Sequence, residues 1–469
     1  MTNPVKHDNW HIRLARRPFH GIFQRTNKII KIYLVTGSHW IKTDKPMLKS
    51  AIYCSYSLVL LFLFYSCQPA PEKASFDPIE LRERLHQVVD KHELMGMAVL
   101  LLSDGEVLWQ SNYGLANRAT NKPVDKNTLF RVASISKTVT ATAVMQLVEA
   151  GKLDLDQEAS TYLGWELKHP QYPETPITLR LLMSHRSGIR DGSGYGPFSR
   201  DMIVKQLNIK ELLNIEGAYF KEDMFGDTAP GDFFFYTNCT WGLIASIIEK
   251  VSGERFDAYC QKHIFQPLDM KGSFNVMHLS SLENVAALYR FKNNQWASQV
   301  DDFTKKPPAN RAFEGYELGQ NGLLFGPQGS LRASAQDLAN FALMFMNNGQ
   351  FNGNRILKKS SVDLMTTNQW TFDGNNGDTW DNFFLSYGLG MHRLTNKDKA
   401  DIIFDNWEMI GHPGIAYGLL SDLYFDRSKK SGVVFITNGS KKDYAYGTES
   451  TFYQVEEDVF KTIAPVFEK

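Results

Sequence analysis

Cysteine is scarce in this chain, with four among 469 residues. That excludes a disulfide-stapled scaffold, which packs its cysteines far more densely into much shorter chains. No spacing of His, Cys and Asp has the pattern of a metal chelate, and no glycine-rich phosphate cradle follows a strand, so no metal and no cofactor are expected. Net charge is missing too. The 51 basic and 51 acidic residues cancel, leaving no overall basic footprint for nucleic acid. There is no repeat of solenoid period. What is present is 43% hydrophobic and 22% charged residues, enough to bury a large core in one large or two medium domains.

The charge is not evenly spread. Residues 1–46 contain nine Lys or Arg against Asp8 and Asp44, leaving 42 of the basic and 49 of the acidic residues in a mildly acidic remainder. From Ala51 to Ser66 runs "AIYCSYSLVLLFLFYS", short of the roughly 20 apolar residues a spanning helix needs but suited to the apolar centre of a secretory signal. It ends on Phe64-Tyr65-Ser66-Cys67, which resembles a bacterial lipobox. The usual Leu is Phe64, and a bulky Tyr65 follows. Residues 47–67 are accordingly expected to be a signal peptide with Cys67 as the lipidation site, or else a signal anchor. In either case the body is exported and tethered to the membrane of a bacterial cell envelope. Residues 1–46 are a basic extension or a translation mis-start, and 68–78 a tether. Of the body's two cysteines, Cys239 and Cys260, each lies in an apolar helical pattern typical of a buried thiol.

Folding begins with "IELRERLHQVVDKHEL", whose Leu81, Leu85, Val88 and Val89 recur at helical spacing. "MAVLLLSDGEVLWQSNYG" follows, two β-rich runs joined by Asp104-Gly105, a pair suited to a tight hairpin turn that needs positive φ twice. Near the C-terminus "YGLLSDLYFDRSKKSGVVFITNG" reads as a second hairpin and "STFYQVEEDVFKTIAPVF" as a closing amphipathic helix. The simplest architecture is α+β: an antiparallel sheet assembled from both chain ends, flanked by helices, with residues from about 151 to 331 inserted as a mainly helical subdomain.

Three short motifs carry chemistry. "RVASISKTVTATAVMQLVEAG" contains the chain's one Ser-x-x-Lys, Ser134 and Lys137, at the start of what reads as a long amphipathic helix. Residues three apart share a helix face with Cβ atoms about 5–6 Å apart, so hydroxyl and amine can meet. The same residues could instead be an N-cap and a solvated charge. "FYTNCTWGLIASIIEKVSG" holds the only Tyr-x-Asn, Tyr236 and Asn238, and "MIGHPGIAYG" the only His-x-Gly, His412 and Gly414. His185 in "SHRSG" is a weaker candidate base, since a His closing an apolar helix more often supports a cap or loop.

Ser-x-x-Lys, then Tyr-x-Asn, then a basic residue-x-Gly is the set of the penicillin-recognising serine enzymes. Over about residues 75–465 the chain resembles the branch that holds class C β-lactamases, D-Ala-D-Ala carboxypeptidases, D-aminopeptidases and related esterases. The resemblance implies a β-lactamase/transpeptidase-like catalytic domain over 79–465 and a serine hydrolase that acts through an acyl-enzyme on Ser134. Lys137 and Tyr236 would share the proton work, either being the base. Asn238 would orient the substrate amide or the lysine, and His412 would add a polar group near Tyr236. The N–H groups of Ser134 and Ile415 would meet the oxyanion, with Gly414 admitting substrate to the strand. The implied partners are a small-molecule or peptide substrate and the membrane. Rival readings are a D,D-carboxypeptidase or class C-type β-lactamase, and a non-catalytic binder of wall peptides or β-lactams. Many relatives place Thr or Ser where this chain has Pro413. Proline has no side-chain hydroxyl to hold a substrate carboxylate, which turns the expectation toward ester, amide or amino-terminal D-amino-acid substrates.

Overall fold

The computed structural model describes residues 76–301, 315–397, 399–442 and 444–468. The basic extension, the signal segment with Cys67 and nearly all of the tether lie outside them. Described structure opens with helix α1, Pro78–His92, whose N-terminus is set by Asp77. Its carboxylate accepts the N–H groups of Ile79 and Glu80, and Pro78 occupies the first turn, where a missing donor costs nothing. Strands β1 (Gly96–Ser103) and β2 (Glu106–Asn117) follow. They turn at Asp104 (φ 55°) and Gly105 (φ 78°), the two left-handed positions a two-residue hairpin demands. β3 is the short Lys122–Pro123.

Helix α2 (Ser136–Glu149) carries the residues after the candidate nucleophile, and α3 (Cys239–Ser252) those after Tyr-x-Asn. The described residues of 151–331 hold α3, several shorter helices and an antiparallel hairpin, Leu288–Lys292 with Gln295–Gln299. Helix α4 (Ala335–Met346) is closed by a Ser334–Asp337 capping box. The chain then supplies β4 (Trp370–Thr371), β5 (Ser386–Tyr387), β6 (His392–Arg393), β7 (Ile410–Ala416), β8 (Leu419–Asp426), β9 (Ser431–Thr437) and helix α5 (Gln454–Ile463).

One nine-stranded antiparallel sheet results, in the order β4-β5-β6-β7-β8-β9-β1-β2-β3. β1 pairs with β9 from Met97 opposite Thr437 to Leu102 opposite Gly432, so the two ends of the folded body meet in mid-sheet. Helices cover both faces. Ala98, Leu100 and Leu102 join the core built with α2, α3 and α4. Met97, Val99 and Leu101 join the one built with α1 and α5. Burial on both faces explains why β1 reads as an unbroken apolar run, with no polar alternate. Truncating a fully buried member such as Leu85 of α1 to Ala costs about 2–5 kcal/mol.

One expectation changes. α2 is not amphipathic: it is the buried central helix, enclosed from Ser136 to Val144. Its threonines fit because their hydroxyls are returned to backbone carbonyls, Thr138 to Ile135, Thr140 to Ser136 and Pro327, and Thr142 to Thr138. Cys239 and Cys260 are free buried thiols, as their apolar settings suggest. Among the described residues no helix is long and apolar enough to cross a membrane.

Candidate active site

Ser134 sits in the turn between the Phe130–Arg131 strand and α2, within the 3-10 turn Ala133–Ile135. Ala133 is held at φ 42°, a conformation that disfavours a side-chain-bearing residue and persists only when its surroundings enforce it. Those surroundings are explicit. Val132 donates its N–H to Leu331 and its carbonyl accepts the Ser421 hydroxyl of β8. Arg131 donates to the Gly329 carbonyl, and the Ser136 hydroxyl accepts the Leu331 N–H. Gly414 on β7 completes the clamp. A Cβ there would lie 2.5 Å from the Val132 carbonyl oxygen and 2.2 Å from Ser421 Oγ, so the space glycine leaves is filled by the nucleophile turn and the neighbouring strand, not by substrate.

Lys137 is fully buried. Its Nζ lies 3.0 Å from Ser134 Oγ, 2.8 Å from Asn238 Oδ1 and 2.9 Å from the Gln328 carbonyl oxygen, and 4.8 Å from the centre of the Tyr236 ring. Burial pulls its pKa down to about 7, partly opposed by the Asp191 carboxylate. The three neighbours suit the neutral amine. Two are pure acceptors and take its two N–H bonds, leaving the lone pair for the proton of the Ser134 hydroxyl.

The orientation of Asn238 is fixed by Asp191. That carboxylate accepts Asn238 Nδ2 at 2.8 Å and the backbone N–H groups of Asn238 and Cys239 at 2.8–3.0 Å, at the N-terminal end of α3, where an anion is favoured. Tyr236 is hydrogen-bonded to Ser134, and burial, with Asp191 adding to it, pushes its pKa up well beyond the ordinary phenol value. Tyr236 therefore stays protonated. Its ring stacks on Phe384 at 5.1 Å.

The histidines are engaged elsewhere. His412 is fully buried; Nδ1 donates to the Pro413 carbonyl at 2.6 Å, so Nε2 accepts the Tyr387 hydroxyl at 2.8 Å. Burial and the neighbouring Lys137 hold its pKa well below the usual imidazole value. Its ring lies 6.0 Å from that of Tyr236, but both nitrogens are spent, Nδ1 within β7 and Nε2 on tying β7 to Tyr387 of β5. His185 (φ 57°) accepts the Thr237 N–H through Nδ1 and donates nothing to Ser134; its ring backs that of Tyr236 at 4.4 Å. It supports the Tyr-x-Asn loop. β7 is not the sheet edge, because β6 covers Ile410 and Gly411; from His412 onward that side of β7 has no sheet partner, which is where Pro413 is tolerated.

Ser134, Tyr236, Asn238, Pro413 and Ile415 border one pocket of about 290 Å³, and Ile415 is 40% exposed at its rim. Trp380, Phe383 and Phe384 form an aromatic wall. The motifs gave no sign of that wall, of Asp191 or of the Gln328 carbonyl. Among the described residues no group of three His, Cys, Asp or Glu could hold a metal ion.

Comparison with known proteins decides the family. The Beta-lactamase family model matches residues 81–455, most of the chain. The protein belongs to the Beta-lactamase family. That places it in the superfamily of serine hydrolases shared by β-lactamases and penicillin-binding proteins. It is similar to penicillin-binding protein 4* of Bacillus subtilis, 30% identical over 185 residues that cover 39% of this chain and 38% of the relative. It is 26% identical to penicillin-binding protein 4 of Amycolatopsis lactamdurans over 78% of this chain and 86% of that one. The octameric penicillin-binding protein homologue of Pyrococcus abyssi has the same fold, with a TM-score of 0.59 at 24% identity over 78% of this chain and 74% of that one. The α+β fold, with its antiparallel sheet between helical layers, agrees with this membership.

Proposed function

We propose that this Beta-lactamase family member is an exported serine hydrolase that cleaves an amide, ester or D-amino-acid peptide bond through an acyl-enzyme on Ser134. The observation that carries the reading is Lys137, buried and unpaired with any carboxylate, 3.0 Å from Ser134 Oγ. Neutral Lys137 takes the serine proton as Oγ attacks the carbonyl carbon. The resulting ammonium keeps Asn238 Oδ1 and the Gln328 carbonyl as acceptors. Tyr236, a phenol throughout this step, returns a proton to the leaving group and is restored as Lys137 gives up its own. The oxyanion is assigned to the backbone N–H groups of Ser134 and Ile415. Water then deacylates the serine by the reverse sequence. Between the two candidate bases the choice falls on Lys137, because its amine is neutral near pH 7 whereas Tyr236 ionises far above it.

Membrane attachment through Cys67 or a signal anchor belongs to the same proposal, as does a position in the cell envelope. Palmitate labelling that persists in the Cys67→Ser protein would remove the lipid anchor from it. The serine mechanism is tested by a fluorophosphonate, which should form one adduct, mapped by mass spectrometry to Ser134. An unlabelled, folded protein would favour the binding-protein reading.

The base assignment fixes the pH dependence. Lys137 works only when deprotonated, so kcat/KM for a neutral ester should rise tenfold per pH unit below about pH 7 and level off above it. A rate that falls through this window contradicts a lysine base. Asp191→Asn should cut kcat/KM by about 10²-fold, since a misplaced Asn238 misplaces the amine. It should also move the profile's midpoint below 7, because the Asp191 charge is what holds the Lys137 pKa up against burial. An unchanged midpoint would leave Asp191 a purely structural role.

A further inference from the structure

We propose that Glu456, backed by the buried Asp422, forms a subsite for an ammonium group of the substrate at the wall of the pocket that holds Ser134. The inference rests on the serine-hydrolase reading above and names a substrate class for it. Glu456 borders the same pocket as Ser134 and Tyr236 although it is only 2% exposed. It stands in the first turn of α5, where one carboxylate oxygen accepts the Tyr453 N–H at 2.7 Å. Asp422 lies on β8 directly opposite Pro413 of β7, and residues directly opposed across an antiparallel pair project to the same face of a sheet. Pro413 borders the pocket, so Asp422 points to the pocket's side of the sheet.

Asp422 is fully buried, and neither of its oxygens accepts an N–H or a hydroxyl from the rest of the fold; its contact is with the Glu456 carboxyl. Its neighbour is Glu456, another acid. Burial raises both: Asp422, with the Glu456 charge adding to the rise, goes well above the usual carboxylate range, and Glu456 goes to about 7 against the opposing hydrogen bonds from Tyr453 N–H and Asp422. Two carboxyls facing each other with no cation hold a proton between them. Glu456 is accounted for as the cap of α5, but nothing in the fold accounts for a second buried acid, Asp422, beside it. A buried acid pair with no cation costs stability that an apolar pair would not.

An ammonium resolves the imbalance, supplying positive charge and three donors as the shared proton leaves to solvent. The pocket is otherwise prepared for it. Thr451 Oγ1 borders the same pocket, buried and without a partner, and is a third acceptor. The aromatic rings of Trp380 and Phe384 offer negative faces to a cation. Among the described residues bordering the pocket there is no Arg, Lys or His, and Pro413 offers no hydroxyl, so a substrate carboxylate finds no counterpart. The pocket therefore selects a substrate with a free amine and rejects one with a free acid at this position.

The amine could be the α-amino group of an N-terminal residue or a side-chain amine, and matched substrates separate them. The first pair is alanyl p-nitroanilide, as both enantiomers, against its N-acetyl derivative. The second is Nα-acetyl-lysine p-nitrophenyl ester against the Nα-acetyl-norleucine ester. With wild-type protein, kcat/KM should favour the amine over its uncharged counterpart by at least about tenfold in one pair, the pair identifying the source. In Glu456→Gln that preference should collapse toward unity. Asp422→Asn should do the same without touching the α5 cap, which guards against misfolding of the first variant. Protein that takes fluorophosphonate on Ser134 yet shows no preference in either pair overturns the subsite and leaves the hydrolase standing. Protein that takes no fluorophosphonate overturns both.

Discussion

Ser134→Ala should abolish turnover, lowering kcat by at least about 10⁴-fold, while the protein folds as before. The expected size follows from what the substitution removes. Without Oγ there is no atom to form the acyl bond, and the residual catalysis from binding and oxyanion contacts is of the order left when a member of a catalytic unit is deleted elsewhere. Folding should survive because Ser134 does not hold its own turn together. The Ala133 geometry is imposed by Val132, Leu331 and Ser421, and Ser134 is partly exposed at the pocket floor. The check pairs ester hydrolysis with thermal unfolding: a folded Ser134→Ala protein that still turns over, or that still forms a covalent adduct with a fluorophosphonate, removes Ser134 from the mechanism.

The residues that meet around Ser134 were legible in the sequence for a physical reason. A hydroxyl and an amine three apart at a helix start are set by helix geometry alone, and Tyr236 and Asn238 precede another apolar helix that anchors them. The Asp104-Gly105 hairpin was legible because its turn needs particular residues. Other parts carried no such signature. β4, β5 and β6 are two-residue ladders, too short to show a period of two. β7 contains Pro413 and Gly414 within seven residues, both of which ordinarily argue against a strand interior. α2 has small and β-branched residues on every side, so its apolar stripe could not be told from total burial. Asp191 lies in a loop 47 residues before the Asn238 it orients, and Gln328 takes part through a backbone carbonyl, which every residue type possesses. Glu456 reads as an ordinary first-turn acid of a helix until Asp422 is seen beside it.

Replacing Lys137 separates charge from basicity. Lys137→Met keeps the length and apolar stem but removes the lone pair, and should lower kcat/KM by about 10³–10⁴-fold if the amine is the base. Lys137→Arg is the sharper case. Arginine restores a cation with ample donors for Asn238 Oδ1 and the Gln328 carbonyl, yet its guanidinium does not deprotonate in a protein. If the positive charge were what mattered, by drawing Tyr236 toward its anion, the Arg variant would retain much of the activity. A lysine base predicts instead that Arg is as inactive as Met. Both variants should still bind substrate, since Lys137 lies behind Ser134 and is fully buried, so the loss falls on kcat with KM little changed. Tyr236→Phe completes the comparison. It should reduce the rate by about 10²–10³-fold through loss of the proton passed to the leaving group, and the rise in rate through pH 7 should persist in what remains, because the group titrating there is the amine and not the phenol.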